Sequence, residues 1–159
     1  MGQIVSLVRR PVGTPAQPAD HFNRVPLKST QLIAGYGIEG DAKGGHPKRQ
    51  LNIMSAEILQ TLAAEGFMTD PGRMGEQIIV SGIDIDALPS GTRLRLGSAA
   101  LVEVIEPRTG CDRFEAIQKK SRHDADGRMG VIARVLESGP IQVGDPVALV
   151  SQTQPTSAE

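Results

Sequence analysis

The sequence predicts a mainly β fold with α additions, an α+β domain built from many short strands. Three observations carry this. Turn residues recur at short intervals and bound brief apolar runs, as at Ser90-Gly91, Gly97-Ser98, Gly139-Pro140 and Gly144-Asp145. One run, Thr92-Arg93-Leu94-Arg95-Leu96, alternates strictly, with Thr92, Leu94 and Leu96 on one face and both arginines on the other. Helical signals arise in two places among these strands.

Gln3 to Arg9 reads as a first strand, and residues 11–20, rich in Pro and Ala, as loop. Leu27 to Ile33 is extended. Gly35, Gly37, Gly40, Gly44 and Gly45 make 35–45 a loop. Gln50 to Met54 is a short strand. The clearest helix follows: Ser55 is a good N-cap, and Glu57 suits the first turn. Ile58, Leu59, Leu62 and Ala63 form one apolar stripe, and Gly66 closes the helix. Gln77 to Val80 is the next strand, Leu88 to Gly91 a turn, and Ala100 to Ile105 a strand after the alternating one. A second helix is predicted over 112–120, with Asp112 as N-cap before Phe114 and Ile117. Val131 to Leu136 is a strand with Arg134 as its internal charge. Ser138-Gly139-Pro140 reads as a turn. Ile141 to Val143 and Pro146 to Val150 read as a last hairpin-like pair around Gly144-Asp145.

At 159 residues the chain fits one domain, residues 1–150, with a polar tail over 151–159 predicted to be disordered. With no Trp, one Tyr and three Phe, the core must be aliphatic. A lone cysteine excludes an internal disulfide framework and any Cys-rich zinc site within one chain. The run Ile4 to Val8 is too short for a signal-peptide core, and no apolar run nears the roughly 20 residues that span a bilayer. A soluble, cytoplasmic protein without membrane contact is expected. A net charge of −1 and few aromatic residues argue against a nucleic-acid binder.

Several chemistries are excluded by spacing. Gly35-Tyr36-Gly37-Ile38-Glu39-Gly40 matches G-x-G-x-x-G, but no helix can open in the Asp41 to Pro47 stretch that follows, so a dinucleotide fold is not indicated. His21, His46 and His123 show no zinc-hydrolase spacing, and His46 reads as an exposed loop residue. There is no G-x-S-x-G elbow, and Ser29 and Ser55 have no recognisable partner set.

The informative segment is Glu106-Pro107-Arg108-Thr109-Gly110-Cys111-Asp112-Arg113-Phe114. Two arginines and the start of a predicted helix favour the thiolate form of Cys111, which attacks electrophiles and binds soft metals. A buried structural thiol is the other reading, and local chemistry leaves both open. Lys28 beside Ser29, Arg49 opening a strand, and Arg108 beside the cysteine stand out among the cations. Converging with backbone N–H groups of a Gly-rich loop, they would form a phosphate site.

Taken in order, the motifs resemble a MOSC domain, the module shared by the C-terminal part of molybdenum cofactor sulfurases and the amidoxime-reducing enzymes. The resemblance covers roughly residues 3–150. Gly37-Ile38-Glu39-Gly40-Asp41 is similar to the family's GxxGD loop, and Arg49-Gln50-Leu51-Asn52-Ile53 to its strand leading into the Glu57 helix. Gly75-Glu76, Gly82-Ile83-Asp84 and Leu88-Pro89-Ser90-Gly91 match the middle block. Pro107-Arg108-Thr109-Gly110-Cys111 matches the cysteine segment, and Gly130 to Val135 with Ile141 to Asp145 the C-terminal signature. Gln77 stands where Asn is usual, Ala42-Lys43 replaces an Arg-His-like pair, and Gly110 stands where many members have Pro.

The resemblance implies a mixed-topology β-barrel of the pyruvate-kinase-barrel-like type with peripheral helices. It implies that Cys111 ligates the molybdenum of a molybdopterin cofactor, or carries sulfur as a persulfide. Arg108 would support the thiolate and reach the cofactor's anionic parts. Lys28, Ser29 and Arg49 would bind its phosphate and pterin ends, joined by Lys43, Thr109 and Arg113. A small stand-alone member would reduce N-hydroxylated small molecules with electrons from a separate donor protein, as a molybdenum-dependent oxidoreductase. Alternatively it would be a sulfurtransferase-like carrier loaded by a cysteine desulfurase, or a non-catalytic binding module.

Overall fold

The computed structural model describes residues 2–13 and 24–150. Its strands are β1 (Gly2–Arg9), β2 (Val25–Leu27), β3 (Ser29–Ile33), β4 (Gly37–Ile38), β5 (Leu51–Ser55), β6 (Ile78–Ser81), β7 (Arg93–Leu96), β8 (Ala100–Pro107), β9 (Val131–Glu137), β10 (Gly139–Gln142) and β11 (Pro146–Val150). Helix α1 (Ala56–Ala64) follows β5, and α2 (Asp112–Gln118) follows β8. Short 3-10 turns lie at Ile85–Ala87 and Arg122–Ala125.

The strand order β11-β7-β8-β9-β5-β6-β1 closes on itself, because β1 also pairs with β11. The result is a seven-stranded barrel, with β2 added to the far part of β1. The topology is mixed: β5 and β6 run parallel, joined by the α1 crossover, and the other pairs are antiparallel. A smaller sheet, β10-β3-β4, packs beside the barrel. Strand β1 bulges between Ile4 and Ser6, which leaves Val5 facing out.

The alternation read in the sequence is seen in β7, where Leu94 and Leu96 are buried and Arg93 and Arg95 point away. The barrel is filled by aliphatic side chains such as Ile4, Ile53, Ile78, Val102 and Ala133. A second core lies between the outer wall and the helices and contains Met54, Leu62, Phe67, Met74 and Phe114.

Helix α1 begins as expected: the Ser55 hydroxyl accepts from the Ile58 amide at 3.2 Å. It ends at Gly66, whose φ of 95° lets the Gly66 and Phe67 amides bond back to Ala63 and Leu62. Ala63, however, is exposed, and Leu59 and Leu62 make the buried stripe.

Four expectations need correction. The glycine-rich stretch over 35–45 is not all loop, because Gly37–Ile38 forms β4 against β3. Ile141 to Val143 and Pro146 to Val150 do not pair with each other. Strand β10 joins β3, and β11 joins β7 and β1. Ser138-Gly139-Pro140 is not a reversing turn: the chain leaves β9 at Ser138 and enters β10 at once. Gly139 is required because its Cβ position lies 2.6 Å from the Ala100 nitrogen. Finally, Cys111, not Asp112, occupies the N-cap of α2, and the helix stops at Gln118 with Lys119 left-handed. The predicted tail over 151–159 and most of the loop over 11–20 lie outside the described residues.

Candidate functional site

At one end of the barrel β5 and β6 begin while β1 and β8 finish. Their ends, with the glycine loop at 40–45, enclose a small pocket lined by Lys43, Arg49, Asn52, Gly75, Gln77 and Arg108. Strand β8 carries a bulge at Ile105, which bends it just before Glu106-Pro107-Arg108.

Arg108 is the organising residue. Its amide donates to Gly130 O at 3.0 Å, fixing the backbone. Its guanidinium donates to Asn52 Oδ1 at 3.2 Å and to the Met74 carbonyl. Burial draws its pKa down to about 10, against the opposing influence of Cys111 and Glu76. It therefore remains a cation at neutral pH.

Beneath it the polar groups are tightly bonded. Asn52 is buried, and its Nδ2 donates to Met129 O and Val131 O at 3.2 and 3.1 Å. Gln77 Oε1 accepts from the Asn52 amide at 2.8 Å, and Gln77 Nε2 reaches Asp41 Oδ2 at 3.4 Å. Asp41, fully buried, accepts from the Arg10 and Lys43 amides at 3.1 and 3.3 Å. The Asp of the GxxGD motif thus holds the loop that carries Lys43. Glu76 accepts from the Gly72 and Met74 amides at 2.6 and 3.2 Å, and burial raises its pKa despite those bonds.

The pocket is strongly cationic. Desolvation lowers the pKa of Lys43, and the nearby charges of Arg24, Arg108 and Arg49 lower it further. Lys43 is exposed as a residue and lines the pocket. Arg24 is likewise lowered by burial, although Asp41 and Glu76 attract its proton. Arg49 is exposed and pairs with Glu106 at 2.9 Å. His46 is exposed, and its Nδ1 accepts from the Lys48 and Arg49 amides at 3.0 Å each, which shapes its own loop.

Cys111 is exposed. It opens a shallow depression shared with Asp112, Arg113 and Ala116, within electrostatic reach of Arg108. Thr109 is exposed and Arg113 half-buried. Gly110 lies against the stem of Arg122: a Cβ there would sit 2.8 Å from Arg122 Cβ. Arg122 in turn bonds Asp112 and Glu115, tying α2 to the following 3-10 turn.

The fold brings together Arg108, Arg49 and Lys43 in one pocket, with Cys111 and Arg113 beside it. It does not bring Lys28 or Ser29 there. Four extended residues beyond Arg24 carry the chain about 13 Å along β1, and Ser29 lines a different groove with Gly97, Gln142 and Asp145. Arg24, Asp41, Asn52, Glu76 and Gln77 were not assigned site roles from sequence. The signal was a polar residue inside an apolar run, as in Leu51-Asn52-Ile53 and Gln77-Ile78-Ile79.

The fold and site define a small mixed β-barrel domain that carries an exposed cysteine beside a cationic pocket. The chain belongs to the MOSC domain family, whose model matches residues 40–148. It is 32% identical over 95 residues to a protein named reductase from Gibberella moniliformis, covering 57% of this chain and 17% of that protein. The chain thus spans about a sixth of that relative's length. Among solved structures it resembles YiiM from Escherichia coli, with TM-score 0.70 and 21% identity, over 96% of this chain and 72% of that one. It also resembles the YuaD protein from Bacillus subtilis, with TM-score 0.72 and 20% identity, over 92% and 94% of the two chains. These likenesses show the fold.

The MOSC family is associated with molybdenum cofactor, and the residues present fit such a group. The exposed Cys111 offers a soft sulfur donor, and the neighbouring cations suit anionic phosphate. Among the described residues no three His, Cys, Asp or Glu side chains gather as a metal site. No helix among the described residues is long and apolar enough to cross a membrane.

Proposed function

We propose that this MOSC protein binds a molybdopterin-type molybdenum cofactor through Cys111 and the cationic pocket, and reduces N-hydroxylated compounds with electrons from a separate donor protein. The observation that carries this is the convergence of Arg24, Lys43, Arg49 and Arg108 beside an exposed thiol. The fungal relative named reductase points the same way. A lone exposed thiol suits a reducing compartment such as the cytoplasm.

When bound, the cofactor would supply two-electron chemistry at molybdenum. The chain's own residues would hold it. Arg108 and Lys43 would neutralise its anionic groups, at less cost than in water because both cations are already partly desolvated. Asn52 and the Met74 carbonyl would keep the Arg108 fork in place. Cys111 would present sulfur from the start of α2, where it makes no cap hydrogen bond that binding would have to break.

The test is molybdenum per chain, measured by elemental mass spectrometry on protein from a cofactor-rich host. Near-stoichiometric metal is expected in the wild type and loss in Cys111→Ala, with both folded. Equal metal in the two proteins would refute the assignment.

One observation favours a second reading, that of a sulfur carrier: the thiol is reachable by a partner protein. A desulfurase persulfide would pass its outer sulfur to the Cys111 thiolate, leaving the donor's thiolate behind. An added mass of about 32 Da on Cys111 after incubation with a desulfurase would support it. An unchanged mass would dismiss it.

A further inference from the structure

Gln77 makes contacts in three directions that no neighbouring residue duplicates. Its amide donates to Asn52 O at 3.0 Å, and its side-chain Oε1 accepts from the Asn52 amide at 2.8 Å. The side chain therefore acts as one more rung of the parallel β5–β6 ladder, ahead of the first strand pair, Ile53 with Ile78. Its Nε2 then donates to Asp41 Oδ2 at 3.4 Å. Asp41 Oδ1 holds the amides of Arg10 and Lys43. On the other side, the Asn52 carboxamide holds the Arg108 guanidinium. Gln77 is 2% exposed and Asp41 0%, so water does not substitute for either bond.

We infer that Gln77 is the positioning residue that joins the two halves of the cationic pocket, setting the Lys43 loop against the Asn52–Arg108 pair. The inference rests on the pocket being the ligand site, but the coupling itself is measurable with no ligand present. The length of the side chain matters. An Asn at this position, usual in the family, is shorter by about 1.5 Å. From the same backbone it cannot bond both Asn52 and Asp41, because a bond already at 3.4 Å would pass the limit of useful distance. Gln77 therefore has the reach to bond both Asn52 and Asp41.

The carboxamide is also the chemistry the position needs. Asn52 presents an N–H and requires an acceptor. Asp41 presents a carboxylate and requires a donor. Gln77→Glu separates the two links. As a carboxylate it still accepts from Asn52 but repels Asp41. Once protonated it can donate to Asp41 again.

The experiment is backbone amide hydrogen exchange on the full chain, comparing wild type, Gln77→Ala and Gln77→Glu, followed at Asn52, Arg10 and Lys43. In Gln77→Ala, exchange at all three should rise about tenfold or more, with the β8–β9 amides unchanged. In Gln77→Glu at pH 8, Arg10 and Lys43 should lose protection while Asn52 keeps it. At pH 5 and below, the protection factors at Arg10 and Lys43 should recover. If Arg10 and Lys43 keep wild-type protection in both variants, Gln77 is only a ladder rung and the inference is overturned. Should Gln77→Ala not fold, Gln77→Glu alone decides. Phosphate titration of the wild type reports separately on the pocket: no binding, with the exchange coupling intact, would refute the anion site while leaving Gln77's role in place.

Discussion

Asn52 and Arg108 lie 56 residues apart in the chain, yet the Asn52 carboxamide oxygen accepts from the Arg108 guanidinium at 3.2 Å. Strand β5 thereby aims a cation that the segment just after β8 supplies. Asn52 is used up in doing so, with Nδ2 shared between the Met129 and Val131 carbonyls. Replacing it with Ala strands two carbonyls and an arginine donor. We expect Asn52→Ala to lose about 2–4 kcal/mol. Urea denaturation measures this, and a loss below about 1 kcal/mol would mean that the carboxamide does not order the rim.

The mutual repulsion of the pocket cations gives a second prediction. Lys43 is lowered by burial first, then by Arg24, Arg108 and Arg49. Arg108→Gln removes one of those charges, so the Lys43 pKa should move part of the way back up. Glu76, raised by burial and held back partly by Arg108, should rise further. Side-chain NMR titration reads both. Two unmoved pKa values would show that the charges do not share the pocket.

Arg108 also links ligand and stability. Its folded pKa, about 10, lies below that of the free side chain, so its burial opposes folding in full below pH 10. That cost falls only as pH rises through about 10. A bound anion offsets it at neutral pH. Phosphate should therefore raise Tm at pH 7 in the wild type and much less in Arg108→Gln. An equal rise in both would place the anion elsewhere.

Acid should loosen the cysteine segment before the barrel. Glu115 accepts from the Arg122 guanidinium and amide at 3.0 and 2.8 Å, which hold its pKa down to about 2. A carboxylate depressed in the folded state stabilises above its unfolded pKa, and the contribution is lost as pH falls toward the folded one. Between pH 4.5 and 2 the Arg122 amide should lose protection in the wild type. Glu115→Gln should remove that dependence. A wild-type amide protected equally at both ends of the range would contradict this.

Two glycines with nearly the same φ should respond differently to Ala. Gly130 has φ 75°, and its Cβ position lies 2.1 Å from Ile53 O, in backbone that cannot yield. Gly127 has φ 76° and open space around it. We expect Gly130→Ala to cost about 3 kcal/mol or more, and Gly127→Ala about 1 kcal/mol. Thermal unfolding separates them, and matching values would mean that the close approach of β5 is not tight.

Much of the barrel was legible where local chemistry decides local structure. Ser55 and Gly66 bracket α1, and the Thr92–Leu96 alternation marks a barrel wall. The β10–β11 region misled because Gly144-Asp145 looks like a hairpin turn, while the partners that claim each strand, β3 for one and β7 and β1 for the other, lie far away in sequence. The site divides similarly. Cys111, Arg108 and Arg49 could be picked by residue type, and Lys43 came with the resemblance. Asn52, Gln77 and Asp41 could not, because a buried polar side chain in a strand is meaningful only through its distant partner. Lys28 and Ser29 were grouped with the site as a cation beside a hydroxyl and by the resemblance, but four residues of extended chain separate them from Arg24, and Ser29 lines another groove.

The ring closes between Gly2 and Val147, close to the two ends of the described chain. Strand β1 can pair with β2 and β6 early, but its edge toward β11 stays open until the last described strand is made. Until that moment β7 and β1 both present open edges, which can pair with other molecules. Closure so late in the chain makes long-range pairing the slow step of folding. It also makes nascent or shortened chains the forms most exposed to aggregation and proteolysis.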